Sequence, residues 1–409
     1  MSGTREKANR AAVDALLAVE PVLVAIHSAH RAMGLPRTTV LTSGPTLPFR
    51  AYTGGQRAAV IGGALYEGLA DDEAAAVAAF ERGDITVRGC QEFGCVGSLA
   101  GVTTASMPVA VVADERTGDR AYCTLYEGDS ADRLNYGTYT AATRENLETL
   151  RLQVAPALDG LVSVQSEPLR LKPIMARALT MGDELHSRNA AATLLFLRRL
   201  LIGAKNLGLD LEYALTALCD DYFFLRLSMA ASKVMANAMR GYEDSSVVTA
   251  MGFSCKEFGI QVSGTGDTWF TGPLPTFEDH RLEPGFDESD IEFMGGESII
   301  TEVVGLGGIA QAAGLPLQRS SGGQVAPMLA RTTAMYDITV AESPDFLIPV
   351  LNYRGTPLGL DVARIAESGS VTPYLDIGIA GRSGRQIGGG VARAPMRPFL
   401  SAWEALRAG

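Results

Sequence analysis

The densest group of reactive side chains runs from Asp183 to Asn189, in an otherwise apolar, alanine-rich stretch. Its positions include two acids, an imidazole, a guanidinium and an amide, which together can orient, charge and protonate a small polar substrate. His186 is the best acid–base or carbonyl-polarising candidate in the chain. The same residues also fit a capped helix start with an ion pair between Glu184 and Arg188. The residue types alone leave both interpretations open.

Two glycine-rich loops also have the residue types of a ligand site. Residues 263–267 follow a predicted strand, and residues 295–298 precede a predicted helix, where backbone amides can hold an anion. Glycine clusters are more often tight turns, and neither loop matches a phosphate-loop or dinucleotide fingerprint. The candidate ligand-binding residues in these loops are Gly264, Gly266, Asp267, Gly296 and Ser298.

A further anion-binding candidate is Arg354, which follows a predicted buried strand. A guanidinium can bind a carboxylate or phosphate through two hydrogen bonds, although a solvated arginine in a turn is the alternative. The histidines are few, and the five cysteines are irregularly spaced, with no histidine near Cys90 and Cys95. We therefore expect no disulfide scaffold, no metal site and no cofactor.

The composition is that of a globular protein with room for two or three domains. The chain has 409 residues, of which 47% are hydrophobic and 20% are charged. Its net charge of −11, without a basic stripe, argues against nucleic-acid binding. It has neither a signal-peptide pattern nor a run of roughly 18 to 20 apolar residues that would span a membrane. We expect a cytoplasmic protein that assembles as a homo-oligomer and has no nucleic-acid or membrane partner.

The spacing of apolar residues divides the chain into three parts. Residues 1–142 mix helical and strand patterns, residues 143–241 have a helical period, and residues 242–409 return to strands and turns. We therefore predict an α+β fold in which two mixed α/β lobes flank a central helical module. The predicted elements include a hairpin at 107–126, a hairpin at 246–263, and helices at 183–202 and 298–313.

Several segments together resemble one protein family. Gly182–Asn189 is similar to its G-D-E-x-H-x-R-N signature, and Glu257–Phe270 resembles its E-F-G-I…G-x-G-D-x-W-F segment. The family is the bacterial group that contains the YlbE and YahG proteins and the AllG-type subunit of oxamate carbamoyltransferase. The other segments that fit are Phe223–Ala231, Thr301–Gly308, Arg354–Pro357 and Gln386–Gly388.

The resemblance implies a role in carbamoyl transfer. The AllG-type subunit works with FdrA-like and AllH-type partner chains, which together are linked to carbamoyl transfer between oxalurate and phosphate in purine-ring (allantoin) breakdown. For this chain the resemblance therefore implies a small anionic carbamoyl or ureido substrate, phosphate as a further ligand, and partner subunits of these two kinds.

One segment departs from the family pattern. Where the family has a histidine-rich stretch, this chain has Cys90–Gly97, although Glu92 and the Val96–Gly97 pair remain. If those histidines serve the substrate or a metal, their loss alters the chemistry, so a changed substrate stays open. We keep Glu92 as a substrate-binding candidate.

These observations predict a site between the lobes, with the segment 183–189 facing the glycine loops and Arg354. His186 would polarise a carbonyl or move a proton, while Glu184 or Asp183 sets its tautomer. Anionic groups would bind to arginine, and amide nitrogens to acids. The predicted catalytic residues are Asp183, Glu184 and His186; the predicted substrate-binding residues are Glu92, Arg188, Asn189, Gly264, Gly266, Asp267, Gly296, Ser298, Glu302 and Arg354.

Two other functions fit the same residues. The chain could be a non-catalytic subunit, with the charged segment serving as a structural network and a partner chain carrying the active site. It could also be a stand-alone amidohydrolase with a changed substrate, in which case water would be the only acceptor.

Overall fold

The computed structural model describes residues 2–203, 212–318 and 324–408. Among these residues the helices are α1 (Ser2–Ala18), α2 (Ala29–Met33), α3 (Gly54–Tyr66), α4 (Glu73–Arg82), α5 (Ala141–Thr149), α6 (Ala155–Ser163), α7 (Lys172–Thr180), α8 (Ala190–Gly203), α9 (Glu212–Leu218), α10 (Phe223–Asn237), α11 (Ile300–Val303), α12 (Val325–Met335), α13 (Val362–Ser368) and α14 (Met396–Ala408). None of these described helices is long and apolar enough to cross a membrane.

The strands of the same residues are β1 (Pro21–Ser28), β2 (Thr39–Thr42), β3 (Thr86–Gly89), β4 (Pro108–Asp114), β5 (Arg120–Thr124), β6 (Leu169–Arg170), β7 (Val248–Phe253), β8 (Phe258–Val262), β9 (Phe270–Gly272), β10 (Thr276–Leu282), β11 (Ile291–Glu292), β12 (Thr339–Ile348), β13 (Arg354–Leu360), β14 (Tyr374–Gly381) and β15 (Gln386–Arg393). They form sheets in the orders β5-β4-β1-β6, β10-β15-β14-β11, β7-β8-β9, β12-β13 and β2-β3. The β2-β3 pair is parallel and the other described pairs are antiparallel. Helices together with mainly antiparallel sheets confirm the predicted α+β class.

Both predicted hairpins are confirmed. β4 and β5 pair antiparallel with Ala113 opposite Arg120, and the turn between them uses Gly118 at a φ of 80°, where a side chain would be strained. β7 and β8 pair antiparallel with Met251 opposite Ile260. Local alternation and turn residues were therefore sufficient to predict these elements.

Helix α10 is buried on every side. It packs against β4, β5 and α11, and each residue from Phe223 to Ala236 is buried. Apolar and small residues surround its axis, as expected for a helix inside a domain. Two charged residues interrupt this pattern, Arg226 at 4% exposure and Lys233 at 1%. A buried charge is costly unless it is paired, so both positions require an explanation.

The helix predicted at 183–202 starts later than expected. Helix α8 begins at Ala190, and the preceding residues form a loop. The carboxylate of Asp183 accepts a hydrogen bond at 2.8 Å from the backbone N–H of Ala192 in the first turn. The side chain therefore caps the helix from outside it, and the predicted helical start at residue 183 was wrong.

The glycine-rich helix predicted at 298–313 is also shorter than expected. Only the four residues of α11 are α-helical, followed by a 3-10 turn at Gly307–Ala310. Gly305 and Gly307 have φ values of 83° and 56°, which end a right-handed helix. The prediction of a continuous helix here was therefore wrong.

One hydrophobic core draws on all three predicted domains. Leu16, Phe224 and Phe399 belong to the same buried cluster, although they come from the N-terminal, helical and C-terminal parts. The boundaries near residues 143 and 241 stay a prediction.

Replacing Lys233 with methionine is expected to stabilise the fold. The Nζ atom has no hydrogen-bond partner, and burial, with a smaller effect from the charge of Arg240, lowers the pKa of Lys233 from 10.5 to about 7. Because the unfolded lysine binds its proton more tightly, the destabilisation is full below pH 7 and disappears as the pH rises towards 10.5. At about 1.4 kcal/mol per pKa unit, the substitution should raise the free energy of unfolding by roughly 4 kcal/mol at pH 7, and by less at higher pH.

Lys172→Met is the matched control, because Lys172 is also buried but has partners. Its Nζ donates to the carbonyl of Leu17 at 2.9 Å and lies 3.3 Å from Glu20 and 3.4 Å from Asp345. Its removal leaves these groups unpaired and should destabilise the protein. Denaturant unfolding at two pH values measures both variants, and destabilisation by Lys233→Met would contradict the explanation.

Candidate active site

A cavity of about 970 Å³ lies where residues of the three predicted domains meet. Its polar lining includes Ser98, Arg133, His186, Arg226, Ser298 and Asp376. Polar groups that converge on a cavity of this size, between separate parts of the chain, are the usual surroundings of a small-molecule site.

His186 lies in the cavity wall and is held by a carboxylate from a distant part of the chain. Its Nδ1 donates to Oε1 of Glu302 at 2.9 Å, and its side chain is almost fully buried. Because Nδ1 carries the hydrogen in this contact, Nε2 is the ring nitrogen that can accept a proton. The sequence predicted Glu184 or Asp183 for this orienting role, and this prediction was wrong because the contact is made by Glu302.

Glu302 is itself fixed by several hydrogen bonds. Its Oε1 accepts from the backbone N–H groups of Gly308 and Asp376, both at 3.0 Å, and its Oε2 accepts from the hydroxyl of Thr301 at 2.8 Å. Gly307 makes room for the carboxylate, since a Cβ there would lie 2.5 Å from Oε1. A carboxylate fixed in this way can hold the imidazole in one orientation and one tautomer.

Asp376 is the second acid beside His186. Its Oδ1 accepts from Nε2 of Gln311 at 2.6 Å, whereas its Oδ2 is buried and has no hydrogen-bond partner. Burial first, and then the charge of Glu302, raises the pKa of Asp376 to about 6. Because the residue also lines the cavity, it is one of the polar groups that surround the space beside His186.

The protonation of His186 reflects two opposing influences. Burial by itself lowers the pKa of His186, but the charge of Glu302 and its hydrogen bond, with a smaller effect from Asp376, raise it above the usual 6.5. The Glu302 carboxylate therefore stabilises the imidazolium form, which is the form produced when the ring accepts a proton in acid–base catalysis.

Glu184 organises the loop that carries His186. Its Oε1 accepts from the backbone N–H groups of His186 and Ser187, and its Oε2 accepts from that of Arg188 at 2.9 Å. Leu185 has a φ of 72°, a conformation that is rare for a branched side chain. The carboxylate thus holds a tight backbone turn in place and does not bond the imidazole ring.

The other predicted residues of this segment contact groups within the segment itself. The guanidinium of Arg188 lies 3.3 Å from Oδ1 of Asp183, and the expected ion pair between Glu184 and Arg188 is absent from the described contacts. The side-chain amide of Asn189 donates to the carbonyl of His186 at 2.8 Å. Arg188 and Asn189 are outside the cavity lining, so their role as substrate ligands stays a prediction.

Arg354 and Glu92 are not among the cavity-lining residues. The guanidinium of Arg354 donates to Glu342 at 2.7 and 2.9 Å and stacks 3.4 Å above the ring of Tyr336. Glu92 accepts from Arg88 at 2.7 Å. Both side chains are paired with exposed neighbouring side chains, and the structure does not bring either of them to His186.

The two glycine loops have different positions. The loop at 263–267 is outside the cavity lining. The backbone amide of Gly264 donates to the carbonyl of Ser245, and Gly266 forms a turn at a φ of 61°. The exposed Asp267 forms an ion pair with Arg240. The loop at 295–298 does line the cavity, through Gly296 and Ser298 among others. The amide of Gly296 already donates to Phe253 at 2.9 Å, so it is not free for an anion as the sequence suggested.

The structure adds two buried arginines that the sequence did not predict. Arg226 and Arg133 line the cavity and are 4% and 5% exposed. A signal for Arg226 was present, since a charge inside an apolar helix is either paired or functional. Arg133 comes from a loop without periodicity, and nothing in the local pattern distinguished it.

The segment that departs from the family pattern ends beside the cavity. Cys90 and Cys95 are buried in a small apolar cluster with Tyr122, while Ser98 and Leu99, immediately after the segment, line the cavity.

Within the described part of the chain, no group of three or more His, Cys, Asp or Glu side chains is arranged to hold a metal ion.

The fold and cavity define an α+β protein with an interior polar site, and comparison with known proteins identifies its family. The family model described as oxamate carbamoyltransferase subunit AllG matches residues 85–298. Oxamate carbamoyltransferase subunit AllG of Escherichia coli K12 is 35% identical over 375 residues, covering 90% of this chain and 89% of that protein. The uncharacterised protein YahG of the same organism is 34% identical over 409 residues, covering 97% and 84%.

A solved structure has the same fold. It is the crystal structure of a conserved protein of unknown function from Enterococcus faecalis V583, with a TM-score of 0.94, 34% identity, and coverage of 99% of this chain and 98% of that one. The chain belongs to the AllG family, which confirms the resemblance seen in the sequence.

Proposed function

We propose that this chain supplies the site at which a carbamoyl or amide group of a small carboxylate-bearing compound is transferred or cleaved. The observation that supports this most directly is the His186–Glu302 pair in the wall of the cavity, with its 2.9 Å hydrogen bond. A relative described as an oxamate carbamoyltransferase subunit, 35% identical to this chain, supports the choice of substrate class.

The proposed reaction uses the side-chain atoms that have no hydrogen-bond partner within the protein. In carbamoyl transfer, the amide nitrogen of the acceptor attacks the carbamoyl carbon, so that a C–N bond forms and the bond from that carbon to its leaving group breaks. The nitrogen loses a proton, which Nε2 of His186 accepts and can return to the leaving group. Glu302 stabilises the imidazolium formed, and the unpartnered Oδ2 of Asp376 can accept an N–H of the amide.

A second function is favoured because the Escherichia coli relative is a subunit of a larger enzyme. In this alternative the cavity binds substrate or supports an interface, while partner chains complete the active site. We therefore include partner subunits of the FdrA-like and AllH-type kinds in the proposal.

The test is an assay of the purified chain with oxamate and carbamoyl phosphate, first alone and then with the two partner subunits. We expect a carbamoylated product and released phosphate, with activity in the mixture alone favouring the second function. Amide cleavage with water as the acceptor and without phosphate dependence would favour an amidohydrolase. Absence of turnover and of oxamate binding in every mixture would contradict the proposal.

A further inference from the structure

We propose that Arg226 forms an oxoanion subsite in this cavity, separate from the His186–Glu302 pair. The subsite would hold the carboxylate or phosphate group of a ligand. The inference deepens the proposed function, and the choice of probe ligands rests on that function.

The first observation is an arginine that is buried but unsatisfied. Arg226 is 4% exposed and lines the cavity, and its Nε and Nη1 atoms have no hydrogen-bond partner. Among the residues that the structure describes, no carboxylate forms an ion pair with it at 4.0 Å or less. Burying a guanidinium without a counter-charge is unfavourable, so an anion from outside the chain is the natural partner.

The second observation is the position of Arg226 on the helix. The neighbouring residues of α10 are apolar, and a methionine or leucine at 226 would fill the space without an unpaired charge. Lys233, two turns further along, is buried in the same helix but is not among the cavity-lining residues. Of the two buried charges in α10, Arg226 is thus the one that a ligand can reach.

A second cation reinforces the site. The guanidinium carbons of Arg226 and Arg133 each lie 5.8 Å from the centre of the Tyr126 ring, so the two charges flank one tyrosine. Arg133 is already engaged, since it donates to the carbonyl of Ser130 at 2.6 Å and to the hydroxyl of Tyr126 at 3.0 Å. Arg133 therefore adds positive potential, while Arg226 has the free donors.

Of the acids that line the cavity, the exposed Asp129 lies 3.8 Å from Arg133, and two others accept hydrogen bonds from the backbone. The two oxygens of Glu127 accept from the N–H groups of Leu134 and Asn135 at 2.6 and 3.1 Å. Asp220 accepts from the N–H of Tyr222 at 2.8 Å, and burial is the main cause of its raised pKa. Neither acid is paired with Arg226, so the positive charge of its guanidinium is not cancelled locally.

The chemistry of the guanidinium defines the ligand class. Its planar donors match two oxygens of a carboxylate or a phosphate. A cavity of about 970 Å³ is larger than one small acid requires, so a second anion can occupy it together with a substrate near His186. The two sources of the anion are the substrate's own carboxylate and free inorganic phosphate.

The test is calorimetric titration of the full chain with oxamate and with inorganic phosphate. Arg226→Met should weaken binding of at least one of these anions tenfold or more, and Arg226→Lys should be intermediate because it keeps the charge but loses the paired donors. Lys233→Met, which removes a buried charge from the same helix outside the cavity, should bind as the native protein does. If the two anions compete and Arg226→Met weakens both, they share the Arg226 subsite; if they bind together and only one is weakened, Arg226 holds that anion.

Either of two results would overturn the subsite. They are native affinity for both anions in Arg226→Met, or no binding of either anion to the native chain. Arg226→Met should fold, because it removes an unpaired charge, and Arg226→Lys provides the same test if it does not. His186→Gln separates this inference from the proposed function, since it should keep anion affinity while turnover is lost.

Discussion

Replacing His186 with glutamine is expected to lower turnover of a carbamoyl or amide substrate by about 10²–10⁴-fold. Glutamine can keep a hydrogen bond to Glu302, but it cannot exchange a proton at the position of Nε2. The fold should be retained because the loop around residue 186 is held by Glu184 and Asn189 through backbone atoms. The loss of turnover is measured by steady-state kinetics, with the chain alone or with its partner subunits, whichever is active for the native protein.

His27→Gln is the matched control. His27 lies in β1, outside the cavity lining, and its Nε2 is 4.0 Å from Asp159, so the same substitution there should leave turnover unchanged. Full turnover in His186→Gln would remove His186 from the chemistry.

Glu302→Gln tests how His186 is oriented. If neutral His186 accepts the proton, kcat/KM rises with pH through the raised pKa of the imidazole. Without the Glu302 charge, burial remains and lowers that pKa, so the acid limb of the profile should move to lower pH while the maximal rate falls. The combined His186→Gln and Glu302→Gln variant should be little worse than either single change, because the two residues act as one unit.

Glu184→Ala is expected to lower the free energy of unfolding by about 3–5 kcal/mol. The substitution removes the acceptor for three consecutive backbone N–H groups, those of His186, Ser187 and Arg188, in a buried turn. Without these hydrogen bonds, the loop is no longer held in the conformation in which Leu185 has a φ of 72°. Denaturant-induced unfolding followed by circular dichroism measures the loss.

Glu184→Gln is the control for charge. Burial, and then the nearby charge of Asp376, raises the pKa of Glu184 well above its usual value. Glutamine keeps the size of the side chain and one acceptor oxygen for the N–H groups of His186 and Ser187. We expect a loss of only about 1 kcal/mol for this variant. Because the pKa of Glu184 is higher in the folded state than in the unfolded state, its carboxyl group destabilises the native protein as the pH rises through the folded pKa. Glutamine does not titrate, so the Gln variant should lack this part of the pH dependence. Equal losses for Ala and Gln would contradict a role based on hydrogen-bond acceptance.

Local sequence patterns predicted which segment contributes to the site, but they predicted the wrong roles for its acidic residues. The segment from Asp183 to Asn189 was recognisable because reactive side chains are unusual in an apolar stretch, and His186 does line the cavity. The sequence predicts its acids as catalytic groups, whereas Glu184 and Asp183 accept hydrogen bonds from backbone amides of the loop and of α8. Both uses need a carboxylate near a turn, so residue type and spacing could not separate them.

By itself, the sequence determined the α+β class, the two hairpins and the family, because these depend on alternation, turn residues and the order of motifs along the chain. Only the tertiary structure decided that Glu302, 116 residues away, orients His186, and that Arg226 reaches a cavity while Lys233 on the same helix does not. The physical reason is that a local pattern constrains backbone angles and burial, whereas the partner of a buried polar group is chosen by packing between distant segments. A charge inside an apolar helix shows that a partner is needed, and the fold alone determines where that partner can come from.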